Sequence, residues 1–581
     1  MSPGLRHRER QRAEPPVAGG ESAEKPRPAS AVPAATAVFP RPSRGPSRRG
    51  IALNVAALVI VGLAFEVAYG QSPLYTGNQH TYLLHGLSQA GVGLLEADWQ
   101  AGTADPAPVT SLLVAAAAKL GSEWLLLLFH ALLIGAYGVA LAGIGMTLFR
   151  LDDWPRRLVL IAALIAAHSA IAGELQGGLP DDVRSLVTRG LAGQFAPGFT
   201  FQPSLFGVLL VVSLLLYARG WLAPAIATAG AAAIFHPTYL LSAAVLTGAY
   251  LADTFARTGR WRALLAGAGA AAATLVPVAV YAVSAFGPAP GPVHEAAQSV
   301  LVDFRIPHHA KPEVWFAADD AIRLAIIVAG VALAWHTVLF PVLALAAAAG
   351  GALTAFQLVT GSETLALLFP WRVSVFLVPV CAAIVLAAAT RATFGLASLL
   401  ERVVARLRPE RAARLAMTAR AAAGGLAGFV IAVSLVAGIE PLARLAPEPR
   451  QDELGRLVAR QRSPGDLYLV PPRLYELRID AGVPVYVDYK THPYEDREVL
   501  EWRRRLAEVT RLYDRRSLDC AALERTTRAA GITHVVVKAP TRARCDFLTD
   551  ALDAGEVSVF RVESDLSRRA GGEPGGGRKR V

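Results

Sequence analysis

Charged side chains are scarce in this chain for its length. Of its 581 residues, 18% are charged and 53% are hydrophobic, and the mean hydropathy is +0.40. Soluble proteins of this size rarely carry so few charges, and apolar runs long enough to cross a bilayer recur along this sequence. The composition therefore argues against a large soluble enzyme and indicates an integral membrane protein.

Several signatures of catalysis are also missing. The sequence has no Walker loop, GxSxG, HExxH or CxxC, which argues against an ATPase, an α/β-hydrolase, a zinc protease and a zinc-ribbon protein. Its three cysteines cannot build a disulfide scaffold. Cys381 lies in an apolar run and reads as a packing residue. Cys520 and Cys545 can pair if their region lies outside the cytoplasm, and are otherwise two unrelated thiols.

The net charge of +11 raises the question of nucleic acid as a partner. The arginines gather in the first 50 residues and between apolar segments, which suits orientation in a bilayer better, so no nucleic-acid partner is expected. Residues 1–49, rich in Arg, Pro, Ala and Ser, are predicted to form a disordered basic cytoplasmic tail, and residues 566–581 a flexible tail.

Between these tails, residues 50–444 are predicted to form a polytopic transmembrane domain. A bilayer is spanned by about 20 apolar residues. This measure predicts a multi-pass α-helical protein with about 11 transmembrane helices. Residues 108–119 are too short to span and are predicted to lie at the membrane interface. The predicted spans are 51–70, 123–148, 158–175, 203–218, 221–235, 238–254, 263–285, 319–338, 339–358, 371–390 and 421–441.

The distribution of lysine and arginine predicts the orientation. With a cytoplasmic N-terminus, the segments on the cytoplasmic side hold 24 of these residues, and the opposite loops hold 5. Cytoplasmic loops carry such an excess. An odd number of spans then places the C-terminal region outside. The opposite loops are 71–121, 176–202, 286–318 and 359–370.

Residues 445–565 differ in composition and are predicted to form a small extracytoplasmic α/β domain. Runs rich in Val, Ile and Tyr predict strands. They occur at 466–471, 483–490, 532–540 and 557–563. Longer amphipathic stretches between them, at 495–513 and 518–530, predict helices. Strands that alternate with helices are typical of an α/β fold.

Two acids in loop 71–121, Glu96 and Asp98, are candidate catalytic groups. A carboxylate can accept a proton from an acceptor hydroxyl, or hold a divalent metal on a phosphate leaving group. Solvated loop acids are the plainer interpretation. In loop 176–202, Asp181 and Asp182 suit a metal and the nearby arginines suit a phosphate, although a helix start, which a Pro-Asp-Asp sequence typically marks, is the plainer interpretation.

Loop 286–318 carries the densest polar cluster, DFRIPHHAKPEVW. Its Arg305 and Lys311 can clasp a diphosphate, as a fork and a point charge. Adjacent histidines such as His308 and His309 rarely ligate one metal unaided, and a structural turn over the bundle is the alternative. Glu66, Arg323 and Arg372 sit in or beside apolar runs, either as interface anchors or as the lining of a polar cavity.

Taken together, the chain resembles the GT-C superfamily of membrane glycosyltransferases, which transfer sugars from polyprenyl-phosphate donors on the outer side of the membrane. Within that architecture it is similar to a family of prokaryotic polytopic proteins with an outer C-terminal α/β domain. The segments that carry the likeness are NQHTYLLHGL with EADW, IFHPTYLL, DFRIPHHAKPEVW, LLFPWRVS and VPVYVDYKTHPYEDREVLEWRRRL. The likeness covers roughly residues 51–564.

The resemblance implies a glycosyl transfer that uses a polyprenyl-phosphate-linked sugar and an envelope glycan acceptor. GT-C enzymes usually place an acid early in the first outer loop, but residues 76–80 read TGNQH, so Glu96 or Asp98 would have to replace it. His80, Arg305, His308, His309, Lys311 and Arg372 would bind the substrates. The cofactor is unknown, with a divalent metal as one option.

Other functions stay open at this stage. A transporter or flippase would need internal inverted repeats, which are not evident. A non-enzymatic protein that assembles envelope components would use its outer domain to bind partners. The segment VDYKTHPYEDREVLEW, which includes Lys490, His492 and Trp502, is either a lid over a site shared with the membrane loops or a charged turn before a surface helix.

Overall fold

The structure is a computed structural model, and it describes residues 48–175, 178–443, 445, 453–514 and 517–563. The predicted basic tail, apart from its last two residues, and the predicted flexible tail lie outside the described residues. The multi-pass helical architecture with a small C-terminal α/β domain is confirmed.

Helices account for nearly all of the membrane part, because in a bilayer each backbone polar group must be satisfied within its own segment. The first ten are α1 (Arg48–Tyr69), α2 (Gln79–Tyr82), α3 (Leu84–Gln89), α4 (Pro108–Lys119), α5 (Trp124–Phe149), α6 (Trp154–His168), α7 (Ala170–Glu174), α8 (Val183–Thr188), α9 (Val208–Ala218) and α10 (Leu222–Phe235).

The next ten helices complete the membrane part, with a π-helical turn at Val300–Arg305. They are α11 (Leu240–Thr258), α12 (Trp261–Phe286), α13 (Gly291–Ser299), α14 (Pro307–Ala310), α15 (Pro312–Trp315), α16 (Ala318–Leu333), α17 (Phe340–Thr360), α18 (Glu363–Leu367), α19 (Ser374–Leu407) and α20 (Pro409–Ala443).

Seven of the described helices are long and apolar enough to cross a membrane, namely α1, α5, α11, α12, α17, α19 and α20. Each of the eleven predicted spans overlaps a helix, but α6, α9, α10 and α16 are shorter than this measure requires, so the count of eleven stays a prediction. Helix α4 forms where a short interfacial helix is predicted. Many leucines and valines of α1, α12, α19 and α20 are exposed on the surface of the bundle, as lipid-facing side chains are.

Close helix contacts in the bundle rely on glycine. Gly62 of α1 faces Gly135 of α5 so closely that a Cβ on Gly62 would lie 3.4 Å from the partner's Cα. Near the other end of α1, a Cβ on Gly438 of α20 would overlap the carbonyl oxygen of Val67. Small residues let membrane helices approach in this way. The two contacts bring α1 between α5 and α20.

The C-terminal domain is built on a four-stranded mixed sheet. Its elements are α21 (Glu453–Gln461), β1 (Tyr468–Leu469), α22 (Glu476–Ala481), α23 (Asp496–Tyr513), α24 (Cys520–Ala530), β2 (His534–Lys538), β3 (Leu548–Ala554) and β4 (Val557–Val562). The strand order is β1-β2-β4-β3, with β1 parallel to β2 and the other pairs antiparallel.

The sheet is covered on both faces. Val535 and Val537 pack into one cluster with Trp502 and Leu506 of α23, whereas Val536 packs on the other side with Val458 of α21. This alternation follows from the two-residue period of a strand. Cys520 and Cys545 form a disulfide, which settles the two alternatives for these thiols.

One predicted strand needs correction, and one strand of the sheet was not predicted. The run 483–490 makes a single bridge to β1 and forms no strand, because β1 offers only two residues for pairing and the Val485 N–H donates to the Asp98 carboxylate instead of to a further strand. The sequence also gave no sign of β3, whose residues LTDALDA include two aspartates and two alanines, which are depleted in strands. It forms as the edge partner of β4 across a turn at Gly555, which has a positive φ of 72°.

Candidate functional site

Asp98 joins loop 71–121 to the C-terminal domain. Its side chain is fully buried and accepts four strong hydrogen bonds: from the backbone N–H of Gln100 at 2.8 Å and of Ala101 at 3.2 Å, from Arg478 Nε at 2.9 Å and from the Val485 N–H at 2.8 Å. Two of the donors are 380 or more residues away in sequence. The carboxylate therefore fixes the C-terminal domain onto the loop.

Arg478 completes this contact as the centre of a buried ion triad. The guanidinium also donates from Nη1 to Asp488 and from Nη2 to the Val485 carbonyl at 3.4 Å. Asp488 Oδ1 in turn accepts from the Thr491 N–H at 2.7 Å. One cation between two carboxylates, each with further hydrogen bonds, meets the conditions under which charges are tolerated away from water.

The two predicted catalytic acids thus have different surroundings. Glu96 is exposed, and Asp98 is 2% exposed and already engaged by four donors. A carboxylate with this many donors is held for structure, whereas a general base must be within reach of a substrate proton. The catalytic role of either acid stays a prediction.

A group of basic side chains lies where three loops meet the C-terminal domain, and we call it the cationic cluster. Arg305 donates from Nη2 to the Lys490 carbonyl at 2.9 Å, and its guanidinium lies 5.1 Å from the centre of the Tyr489 ring. The members of the cluster are Arg305, His308, His309, Arg372, Lys490 and His492.

Lys490 brings the C-terminal domain into the cluster. Its Nζ donates to Asn78 Oδ1 at 2.6 Å, and its carbonyl accepts from Thr81 Oγ1 at 3.3 Å. Both partners belong to loop 71–121. The buried Trp502 fixes the start of this segment, since its Nε1 donates to the Asp488 carbonyl at 2.9 Å. The 488–494 segment therefore lies on the loop, as the lid interpretation predicts.

Arg372 brings the third region into the cluster. Its Nη1 donates to Gln194 Oε1 at 2.5 Å, and its guanidinium lies 4.8 Å from the centre of the Tyr239 ring. His309 donates from Nδ1 to the Ala192 carbonyl at 2.7 Å, and its ring centre is 4.1 Å from that of His308. The stretch 192–194 thus connects Arg372 to loop 286–318.

Several buried polar atoms here have no hydrogen-bond partner in the described part of the chain. They are Arg305 Nε, Arg372 Nε, His492 Nε2, His236 Nδ1 and Gln194 Nε2. A buried polar group without a partner costs about 1–3 kcal/mol, and more if it is charged. Buried polar atoms without a partner are rare in folded proteins, so their concentration here marks the cluster as the candidate site.

The described members of the cluster are all basic, and burial lowers the pKa values of its histidines and of Lys490. Burial, followed by Arg305, lowers the pKa of Lys490 and of His308 and lowers that of His492 well below its usual range. Burial is also the main cause that lowers the pKa of His309 to about 4. The imidazoles are therefore neutral near neutral pH, and the arginines supply fixed positive charge.

Four of the six predicted substrate-binding residues belong to this cluster, and two do not. Lys311 turns away and pairs with Asp303, with 33% of its side chain exposed. His80 is buried, with its ring centre 5.3 Å from that of Tyr475. In the described residues no group of three or more His, Cys, Asp or Glu side chains is arranged to hold a metal ion.

The remaining charged candidates have structural partners. Glu66 is buried and pairs with His130 Nδ1 at 3.1 Å, and Arg323 pairs with Asp181 at 2.7 Å. Asp182 caps α8 by accepting from the Ser185 N–H at 2.8 Å, which is the helix-start interpretation.

Sequence reasoning missed Gln194, and it included His236 only within IFHPTYLL, one of the segments that carry the family resemblance. Nothing in the run GLAGQF around Gln194 marks it, since an amide in a loop has no distinctive pattern. The better signal was the set of segments that carry the family resemblance. All five meet here through residues 78–82, 236–239, 305–309, 372 and 488–494.

Comparison with known proteins gives two kinds of similarity. Residues 452–509 match a family model described as a domain of unknown function, DUF6798, and no curated protein matches the chain. Among solved structures, ArnT from Cupriavidus metallidurans bound to undecaprenyl phosphate is 15% identical, with a TM-score of 0.42, over 89% of this chain and 98% of that one. Its apo state is 14% identical, with a TM-score of 0.38, over 88% and 97%.

Proposed function

We propose that this membrane protein is a GT-C-like glycosyltransferase whose cationic cluster binds the phosphate of a polyprenyl-phosphate-linked sugar. The observation that carries the proposal is the meeting of Arg305, Arg372 and Lys490 around buried N–H groups that have no partner among the described residues. A phosphate supplies the missing acceptors. Guanidinium groups match its oxygens in pairs, and a lysine adds a point charge.

The proposed chemistry uses this charge on the leaving group. An acceptor hydroxyl oxygen attacks the anomeric carbon, the bond from that carbon to the phosphate oxygen breaks, and the electron pair stays on the phosphate. Fixed cations stabilise the charge that develops there. We assign the proton-accepting role to His308, because its imidazole is accessible to solvent and partial burial lowers its pKa, which leaves it neutral. Asp98 is assigned a positioning role, because it holds the lid segment through Arg478.

The proposed orientation has a cytoplasmic N-terminus and the C-terminal domain on the opposite side. The bias of lysine and arginine supports it, and so does the Cys520–Cys545 disulfide, because disulfides persist outside the reducing cytoplasm. Envelope glycans would then be within reach as acceptors.

A labelling experiment checks this orientation. Arg473→Cys and Arg411→Cys place exposed thiols on the C-terminal domain and near the start of α20. We expect a membrane-impermeant maleimide to label the first variant in intact cells and the second only after lysis. Labelling in the reverse order would contradict the orientation.

Phosphate binding is tested with farnesyl phosphate, a short polyprenyl phosphate, on the purified protein. Arg305→Gln and Lys490→Gln each remove one charged hydrogen-bond donor, worth about 1.5–3 kcal/mol. We therefore expect Kd to rise about 10- to 100-fold in each variant. Isothermal titration calorimetry measures it.

Lys311→Gln is the matched control, because Lys311 pairs with Asp303 outside the cluster. It should bind like the unaltered protein, and farnesol should bind none of the proteins tightly. Equal affinity of Lys490→Gln and Lys311→Gln for farnesyl phosphate would overturn the proposal. Transfer itself is measured as labelled sugar moved from a polyprenyl-phosphate donor to envelope material. We expect Arg305→Gln to abolish this transfer.

A further inference from the structure

A second, separate groove of about 240 Å³ lies between loop 71–121 and loop 176–202, beside the C-terminal end of α1. Its floor and walls include Tyr69, Asn78, Arg184, Arg189 and Gln202. Asn78 belongs to both sites, since it lines this groove and accepts from Lys490 of the cationic cluster. The groove and the cluster are therefore neighbours.

The arginines of the groove are held in place but not neutralised. The Arg184 guanidinium stacks on Phe199, 4.4 Å from the ring centre, and a Cβ on Gly173 would overlap its Nη2. Arg189 is exposed at the rim. Within the described residues neither side chain forms an ion pair with a carboxylate.

Asp182, an acid close to both arginines, already accepts hydrogen bonds from another residue. Asp182 accepts from the Ser185 N–H at 2.8 Å and from Ser185 Oγ at 2.7 Å. Burial raises the pKa of Asp182, but the Ser185 bonds and then the two arginines outweigh it and lower the pKa below its usual value. The carboxylate thus stays ionised, and its oxygens are taken up in the cap of α8.

Gln202 supplies a second kind of group. It is 3% exposed and lines the groove, and its Oε1 is a buried acceptor with no partner in the described ranges. The guanidinium groups of Arg184 and Arg189 can bind an anion, and the unpaired amide oxygen of Gln202 can accept from a hydroxyl or an N–H group. A ligand that carries both a phosphate and hydroxyl groups meets both needs.

We propose that this groove binds a phosphate-bearing, hydroxyl-rich group, which Arg184 and Arg189 hold by its phosphate and Gln202 by a hydroxyl. The assignment rests on the proposed function and deepens it, because a ligand next to Asn78 stands beside the donor site and is placed to be the acceptor. Tyr69 is the last residue of α1, so the groove lies at the C-terminal end of a predicted membrane span. A lipid headgroup and a soluble sugar phosphate share this chemistry.

The test measures binding of two probes to the purified protein, glucose 1-phosphate by calorimetry and phosphatidylglycerol by native mass spectrometry. In the double variant Arg184→Gln/Arg189→Gln we expect at least a tenfold loss of affinity for the probe that binds. Arg473→Gln/Arg497→Gln, which removes two exposed arginines of the C-terminal domain, is the matched control. Binding of phosphatidylglycerol alone identifies a lipid headgroup, and binding of glucose 1-phosphate identifies a soluble ligand.

A second variant separates the two halves of the assignment. Gln202→Leu should weaken glucose 1-phosphate or phosphatidylglycerol severalfold and leave inorganic phosphate unchanged. The proposal is overturned if neither probe binds the unaltered protein, or if the Arg184→Gln/Arg189→Gln variant binds as the control does. Farnesyl phosphate reports independently on the cationic cluster. The Arg184→Gln/Arg189→Gln variant should bind it with unchanged affinity. The loss of affinity expected in Lys490→Gln does not depend on whether the groove binds either probe.

Discussion

Replacing Arg478 with methionine is expected to destabilise the protein by about 3–5 kcal/mol, the usual cost of breaking a buried ion pair from one side. The change leaves Asp98 and Asp488 buried without their cation. We expect a lower midpoint of thermal unfolding and rapid proteolysis of the C-terminal domain. The loss should shrink as the pH falls, because burial raises the pKa of Asp488 and its protonation removes one buried charge.

Arg504→Met is the control for this variant. Arg504 lies on α23, pairs with Glu501 and has 58% of its side chain exposed, so its loss should cost less than about 1 kcal/mol. A triple variant, Asp98→Asn with Arg478→Met and Asp488→Asn, should recover part of the stability because no buried charge remains. Equal unfolding midpoints for Arg478→Met and Arg504→Met would refute the role given to the triad.

The other large effect is expected in the membrane, from Gly438→Ala. The new Cβ would overlap the Val67 carbonyl oxygen and lie 2.6 Å from its carbon, and backbone cannot rotate away as a side chain can. Overpacking of this kind costs up to about 3 kcal/mol. Because α1 leads into loop 71–121 and α20 leads towards the C-terminal domain, farnesyl phosphate should also bind less tightly.

Gly428→Ala on the same helix is the matched control, since a Cβ there would meet no described atom within 4 Å. Alanine is the better helix former by about 1 kcal/mol, so this variant should be as stable as the parent or slightly more so. Thermal unfolding in detergent, followed by the fraction that stays monodisperse, compares the two. A Gly438→Ala protein as stable as Gly428→Ala would contradict the packing described for α1 and α20.

The sequence was a good guide to the helices and a partial guide to the site. Long apolar runs have one stable outcome in lipid, so every predicted span meets a helix. Arg305, His308 and His309 were predicted because their loop holds an unusually dense polar cluster, and Arg372 because a charge beside an apolar run needs a reason. Lys490 and His492 were noted only as parts of a lid, because no pattern in one segment reveals which distant segment it will touch.

Asp98 shows why the roles of the carboxylates were harder to predict than those of the basic residues. A sequence displays an acid in a polar loop, but it does not display the backbone N–H groups that will gather around it or an arginine 380 residues later. The same limit applies to the 483–490 run, where the Val485 N–H donates to Asp98 and only a single bridge joins the run to β1. The hydrogen-bond partners of a side chain are known only once the chain has folded, whereas hydropathy can be summed along the sequence.

The 412 positions that separate Asn78 from Lys490 have a consequence for biosynthesis. The ribosome delivers Asn78 with the first membrane helix, and it releases Lys490 only after the last one has been made. Until then, Arg305 lacks the Lys490 carbonyl to which it donates, and Asn78 lacks its Lys490 donor. The cationic cluster is thus assembled only at the end of translation, when the C-terminal domain folds onto the membrane loops.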